Sequence, residues 1–174
     1  ECKAPDAVRV FCDQFDPTLW AYGNAKTSDN CCLDNVTETR NYTLFDTLCN
    51  KGTIVRTFAA IDCSGNSNRC TQRVTVDYRQ NYFVRFPDDV VLNACDTSGQ
   101  YGVPTFFGED CELLATSFRD DTFVLAADAC RKIERTWTVI NWCTHDVNKG
   151  CVEIPNPAPH VSINHPSNLI GVVV

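Results

Sequence analysis

The sequence predicts an all-β protein of two tandem, disulfide-stapled β-sandwiches, and three observations lead there. One cysteine-ended stretch occurs twice, 79 residues apart: RTFAAIDCSGNSNRC over 56–70 and RTWTVINWCTHDVNKGC over 135–151. Short runs rich in Val, Ile, Thr and aromatics alternate with Gly, Asn, Asp and Pro, and nothing sustains a helical period; that is the pattern of strands separated by turns. Twelve cysteines lie in 174 residues. Domains of roughly 80 residues bury only about 60–65% of their unfolded surface and need such cross-links.

Taken in order, the halves align as repeats over 1–80 and 81–154. PDAVRVFC (5–12) matches PDDVVLNAC (87–95) with one inserted residue, and YGNAKTSDNC (22–31) matches YGVPTFFGEDC (101–111). Cys49 matches Cys130, VRTFAAIDC (55–63) matches ERTWTVINWC (134–143), and Cys70 matches Cys151. Strands are predicted at 8–12, 54–61, 72–77, 82–86, 89–94, 123–127 and 133–140 from composition and flanking turn residues. In the last of these Arg135, Trp137 and Val139 share one face. Phe58 stands where Trp137 stands, and a large aromatic in an alternating strand is expected to plug a core. The turn CSGNSNRC holds Gly65, Asn66 and Asn68, which tolerate left-handed backbone. It is therefore expected to be clipped by a Cys63–Cys70 bridge, with Cys143–Cys151 doing the same in the second repeat. Asp77 to Tyr82 is the connector between repeats.

No two cysteines have C-x-x-C spacing, so zinc ribbons and thioredoxin-type redox motifs are excluded. An even, scattered count in small β-units predicts disulfides and an oxidising, extracellular compartment. The net charge of −7 argues against nucleic acid and anionic lipid as partners. No apolar run approaches the roughly 20 residues of a membrane-spanning helix. With no Met and Glu1 first, the chain reads as a processed or excised segment.

The order of PD-x-V, YG, DNC, RT-[FW], the DCSGN turn and CTQ resembles HYR-like immunoglobulin-type repeats of large secreted and surface proteins of Bacteroidota-like bacteria. The resemblance covers 1–155, and IDCSGNSNRCTQRVTV carries most of it. It implies Ig-like sandwiches in a structural, adhesive or filament-forming module, with no active site. Repeat two departs from it by having Phe86 where repeat one has Cys2, and repeat one has a vicinal pair, Cys31 and Cys32. The remaining cysteines, Cys12, Cys49, Cys95, Cys111 and Cys130, are expected in disulfides; with seven in one repeat and five in the other, full oxidation requires a bridge between repeats or between molecules.

Catalysis finds no support. His145, His160 and His165 have no catalytic context, and the chain is expected to be no enzyme and to need no cofactor. The acidic pairs Asp88–Asp89, Glu109–Asp110 and Asp120–Asp121 lack the D-x-[DN]-x-[DN]-G pattern of a calcium loop and are assigned to turns and solubility. Asn35-Val-Thr37 and Asn41-Tyr-Thr43 are N-glycosylation sequons, and Asp46-Thr47-Leu48 resembles an O-glycan acceptor at Thr47. Trp20 and Trp142 have no counterpart in the other repeat and are the candidates for an alternative role, binding carbohydrate or protein at loop ends.

The tail, 155–174, begins with Pro155, Pro157 and Pro159, a stiff connector, and ends in LIGVVV. So apolar a strand is an aggregation hazard unless paired. It is expected to join a neighbouring copy by strand addition through Val161, Ile163, Leu169, Ile170, Val172, Val173 and Val174; folding back and starting a further domain are the alternatives. The predicted function is a subunit of an extracellular filament or surface adhesin, with copies of itself as partners.

Overall fold

The computed structural model describes residues 1–90, 101–124, 131–154 and 169–171, the last by backbone alone. The chain divides into two compact units, Glu1–Arg79 and Gln80–Val174. The division falls one residue before the repeat boundary read from the sequence, and the second unit runs through the tail. Apart from single 3-10 turns at Cys12–Gln14 and Trp20–Tyr22, the described elements are strands, so the chain is all-β.

Unit 1 contains β1 (Cys2–Lys3), β2 (Val8–Phe11), β3 (Lys26–Thr27), β4 (Leu33–Asp46), β5 (Lys51–Asp62) and β6 (Ser67–Asp77). Its main sheet has the order β2-β6-β5-β4, with β2 parallel to β6 and the other pairs antiparallel; β1 and β3 form a separate ribbon. The β5–β6 hairpin runs from Gly52↔Val76 to Ile61↔Ser67. Its turn forms because the Asp62 carboxylate accepts bonds from the Ser64 and Asn66 backbone N–H and from Asn66 Nδ2, at 2.8–2.9 Å. Gly65 supplies the positive φ of +85°, cheap only for glycine.

The period-2 alternation of β5 and β6 buries Ile54, Phe58, Ala60, Val74 and Val76 on one face. Each large apolar side chain buried this way stabilises by about 1.5–3 kcal/mol. Phe58 is 2% exposed, the core plug its position predicts; Trp137 is only half-buried. β4 is the unexpected strand. Its 14 residues are almost all exposed on both faces, so no alternation marks it. It is held by backbone pairing to β5, with register shifts at Leu33/Asn35 and Asn41/Leu44. Just past the second shift, opposite Phe45, Gly52 has φ +119°, and any Cβ there would collide with the Leu44 carbonyl oxygen.

Unit 2 contains β7 (Phe83–Arg85), β8 (Thr105–Phe107), β9 (Leu114–Phe123), β10 (Lys132–Asn141) and β11 (Leu169–Gly171). β9 and β10 form a ribbon, and a three-stranded sheet has the order β11-β7-β8. The strands predicted at 89–94 and 123–127 lie largely outside the described residues. The described strands make small separate sheets and do not display a closed sandwich. Among the described residues no helix is long and apolar enough to cross a membrane.

Candidate functional site

The disulfides differ from the expected hairpin clips. Cys2 bonds to Cys70 and Cys32 to Cys63, each with Cα atoms 5.6 Å apart. The register explains why Cys63 cannot reach Cys70. Cys63 lies in the turn, whereas Cys70 is three residues into β6 beyond Ser67, opposite Phe58. At about 3.3 Å per residue this leaves them farther apart than the 4.4–6.8 Å a bridge spans. The actual bridges fasten β1 and the start of β4 to the hairpin. Cys143 is bonded but Cys151 is a free, exposed thiol, so the Cys143–Cys151 clip is also overturned. Its repeat-one counterpart Cys70 uses Cys2, and repeat two has Phe86 in that place. Cys31 is likewise free and exposed rather than bridged, its neighbour Cys32 having taken Cys63. Cys12, Cys49 and Cys111 are disulfide-bonded; Cys95 and Cys130 lie outside the described residues.

The repeat motif converges on an arginine. Arg56 is 0% exposed, on the core face of β5 opposite Gln72. Its Nε and Nη2 donate to the two Glu38 carboxylate oxygens at 2.9 and 3.1 Å. Its Nη1 donates to the Gly23 carbonyl at 2.8 Å and to Gln72 Oε1 at 2.6 Å. Gln72 Nε2 in turn donates to the carbonyls of Asp6 and Tyr22 at 2.8 and 2.9 Å. PD, YG, RTF and TQ are therefore one polar hub, with the guanidinium 4.9 Å over the Phe58 ring. Hydrogen bonding from Arg56 holds the Glu38 carboxyl below its ordinary range. The sequence reading missed this hub. Its signal was an arginine on the same face as the aromatic core plug, in both repeats.

In unit 2 Arg135 occupies that place on a more open surface. It makes a bidentate bond to Asp120 at 2.7 and 2.8 Å. Its guanidinium lies 3.9 Å over the Phe118 ring and 5.8 Å from that of Tyr101. Hydrogen bonding from Arg135 lowers the Asp120 pKa. Gly23 and Gly102 share a positive φ, +80° and +76°, and each faces the proline of its own repeat, Pro5 or Pro87.

Asn35 and Asn41 are both exposed on β4, the outer strand of the main sheet, and Thr47 is exposed just past its end. Asn41 Oδ1 accepts bonds from Thr43 N and Oγ1 at 2.8 and 2.6 Å. Both residues line a shallow open cleft of about 320 Å³ with Leu44, Thr53 and Val55. Trp20 is 78% exposed on a loop fixed by Asp16, whose carboxylate accepts bonds from Thr18 Oγ1, Thr18 N and Ala21 N. Trp142 is 53% exposed and stacks edge-on with His145, ring centroids 5.5 Å apart. The tryptophans belong to different units.

In the single chain Leu169, Ile170 and Gly171 pair antiparallel with Arg85, Val84 and Phe83. Val161, Ile163 and Val172 to Val174 lie outside the described residues. No group of three or more His, Cys, Asp or Glu side chains suited to a metal occurs among the described residues.

Compared with models of protein families, with curated proteins and with solved structures, the chain matches none.

Proposed function

We propose that the chain is a structural unit of an extracellular fibre or surface adhesin: two tandem Ig-like modules of the HYR-like type, joined to further copies through the tail. The observation that carries this reading is the terminal strand: Leu169–Gly171 folds back on β7 of its own chain, by backbone pairing that needs no specific pocket and that the same strand makes equally well on a neighbouring copy. Cystines that fasten the chain start and the entry to β4 to a hairpin support it, because an assembly outside the cell relies on cross-links where small cores are weak. Electron microscopy of the non-reduced chain, with and without residues 160–174, tests the reading. Ordered filaments that vanish on truncation are expected; monodisperse monomers in both samples contradict it.

One observation favours a second reading, an extracellular binding module. Trp20 stands exposed on a loop pre-set by the Asp16 hydrogen bonds, as a stacking residue for a sugar or a peptide would. Glycan-array binding lost in Trp20→Ala and kept in Trp142→Ala would support this role for unit 1; no binding by the unsubstituted chain would remove it.

A further inference from the structure

The inner strand of the three-stranded sheet is short, and its two neighbours have different origins. β7 pairs on one side with β8, in register Phe83↔Phe107 to Arg85↔Thr105. Among the described residues its other edge is covered by β11 alone, which comes from late in the chain. Without β11 that edge would present unpaired N–H and C=O groups beside the exposed rings of Phe83 and Phe107, the arrangement that templates pairing with another chain. Val84 at its centre is 1% exposed, so the edge belongs to a packed strand, not to a fraying loop.

We propose that this edge of β7 is the acceptor for the terminal strand of a second copy. Residues 169–171 of one molecule pair with Phe83–Arg85 of the next, in the register Leu169↔Arg85, Ile170↔Val84, Gly171↔Phe83 that the single chain shows. This rests on the reading above that copies are joined through the tail, and it names where the joint is made. Exchange costs little in bonding, since the inserted strand makes the same backbone hydrogen bonds in either molecule; such swaps are a low-cost route to assembly. The connector decides which occurs. Residues 155–168 can span at most about 46–50 Å, enough to reach a neighbour. Their sequence, with Pro155, Pro157, Pro159 and Pro166, favours extended chain, the form in which such a reach is greatest. Passed from copy to copy, the contact is head-to-tail and builds a fibre where the rotation between copies does not close it into a ring or a reciprocal pair.

The test uses full-length chains in a Cys31→Ser, Cys151→Ser background, one batch carrying Arg85→Cys and the other Leu169→Cys, mixed and oxidised with glutathione disulfide. Directly paired positions are close enough to bridge. The proposal expects a species of twice the chain mass whose linked peptides join position 85 of one chain to position 169 of the other. It also expects multimers from a chain carrying both substitutions. A cross-link found only within single chains carrying both, and absent from the mixture, overturns it. Should added cysteines disturb the native bridges, a photo-reactive residue replacing Arg85 reads the same contact without them. Microscopy of the same samples separates the two levels: filaments without an 85–169 link leave the fibre reading standing and remove this joint, whereas neither filaments nor links removes both.

Discussion

Arg56 and Arg135 occupy one position of a repeated motif and live in different surroundings. Arg56 is sealed in the core of unit 1, its Nε, Nη1 and Nη2 all engaged by Glu38, Gln72 and the Gly23 carbonyl. Arg135 keeps about a quarter of its side chain in solvent and relies on one carboxylate and aromatic faces. The difference follows from what lies beside each strand. β5 is flanked on both sides, by β4 and β6, whereas among the described residues β10 pairs with β9 alone. Gln72, the relay in unit 1, has Glu153 at its aligned position in unit 2. The motif thus places an arginine beside the YG turn in both units, hydrogen-bonded to the Gly23 carbonyl in unit 1 and 5.8 Å from the Tyr101 ring in unit 2, and the one with strands described on both sides is the more deeply buried.

The comparison is broken most forcefully at Arg56. Arg56→Ala removes the bonds to both Glu38 oxygens, to Gln72 Oε1 and to the Gly23 carbonyl, leaving Glu38 with Arg40 alone, and is expected to cost unit 1 about 3 kcal/mol, the low end of the range for breaking a buried pair; urea unfolding measures it. Next comes the Cys2–Cys70 bridge, which closes a span of 68 residues. Replacing both cysteines by serine should cost about 2–4 kcal/mol, and the same readout applies. Arg135→Ala should cost only about 1 kcal/mol, since an exposed pair and a partly solvated cation–π contact are weak. Equal losses at Arg56 and Arg135 would mean that the two surroundings do not differ.

The smallest effect is in pH. The Glu38 carboxyl is held below its ordinary range by Arg56, so the unfolded chain takes up its proton first as pH falls. Stability from this pair is therefore complete above the unfolded value of about 4.3 and is lost as pH drops through the lower folded value. Glu38→Gln should flatten that acid limb in unfolding curves taken between about pH 7 and pH 3; an unchanged limb would assign the loss to other carboxylates.

The strands legible in the sequence were those with one face in a core. β5, β6 and β10 carry apolar residues at most alternate positions, Ile54, Phe58 and Ala60, Val74 and Val76, and Ile133, Trp137 and Val139, broken by Arg56, Gln72 and Arg135, and their faces could be read before any coordinates. β4 and β9 could not. LDNVTETRNYTLFD and LATSFRDDTF are exposed on nearly every residue, so what makes them strands is the neighbour they pair with, not their own pattern. The disulfides were misread for a related reason. Spacing placed Cys63 and Cys70 at the two ends of a turn, but the tight Asp62–Asn66 turn shifts Cys70 up β6, away from Cys63. Repeat alignment held a better clue: the missing counterpart of Cys2 in repeat two leaves Cys151 with no bridge, and the structure has that thiol free.

The central structural claim is that the staples tie the chain start and the long outer strand to the β5–β6 hairpin, rather than closing the hairpin on itself. Mass-spectrometric mapping of peptides from the non-reduced, alkylated protein tests it most directly. The account predicts Cys2–Cys70 and Cys32–Cys63 linked peptides, with Cys31 and Cys151 carrying the alkylating group wherever no oxidant has joined them. A Cys63–Cys70 link would contradict it.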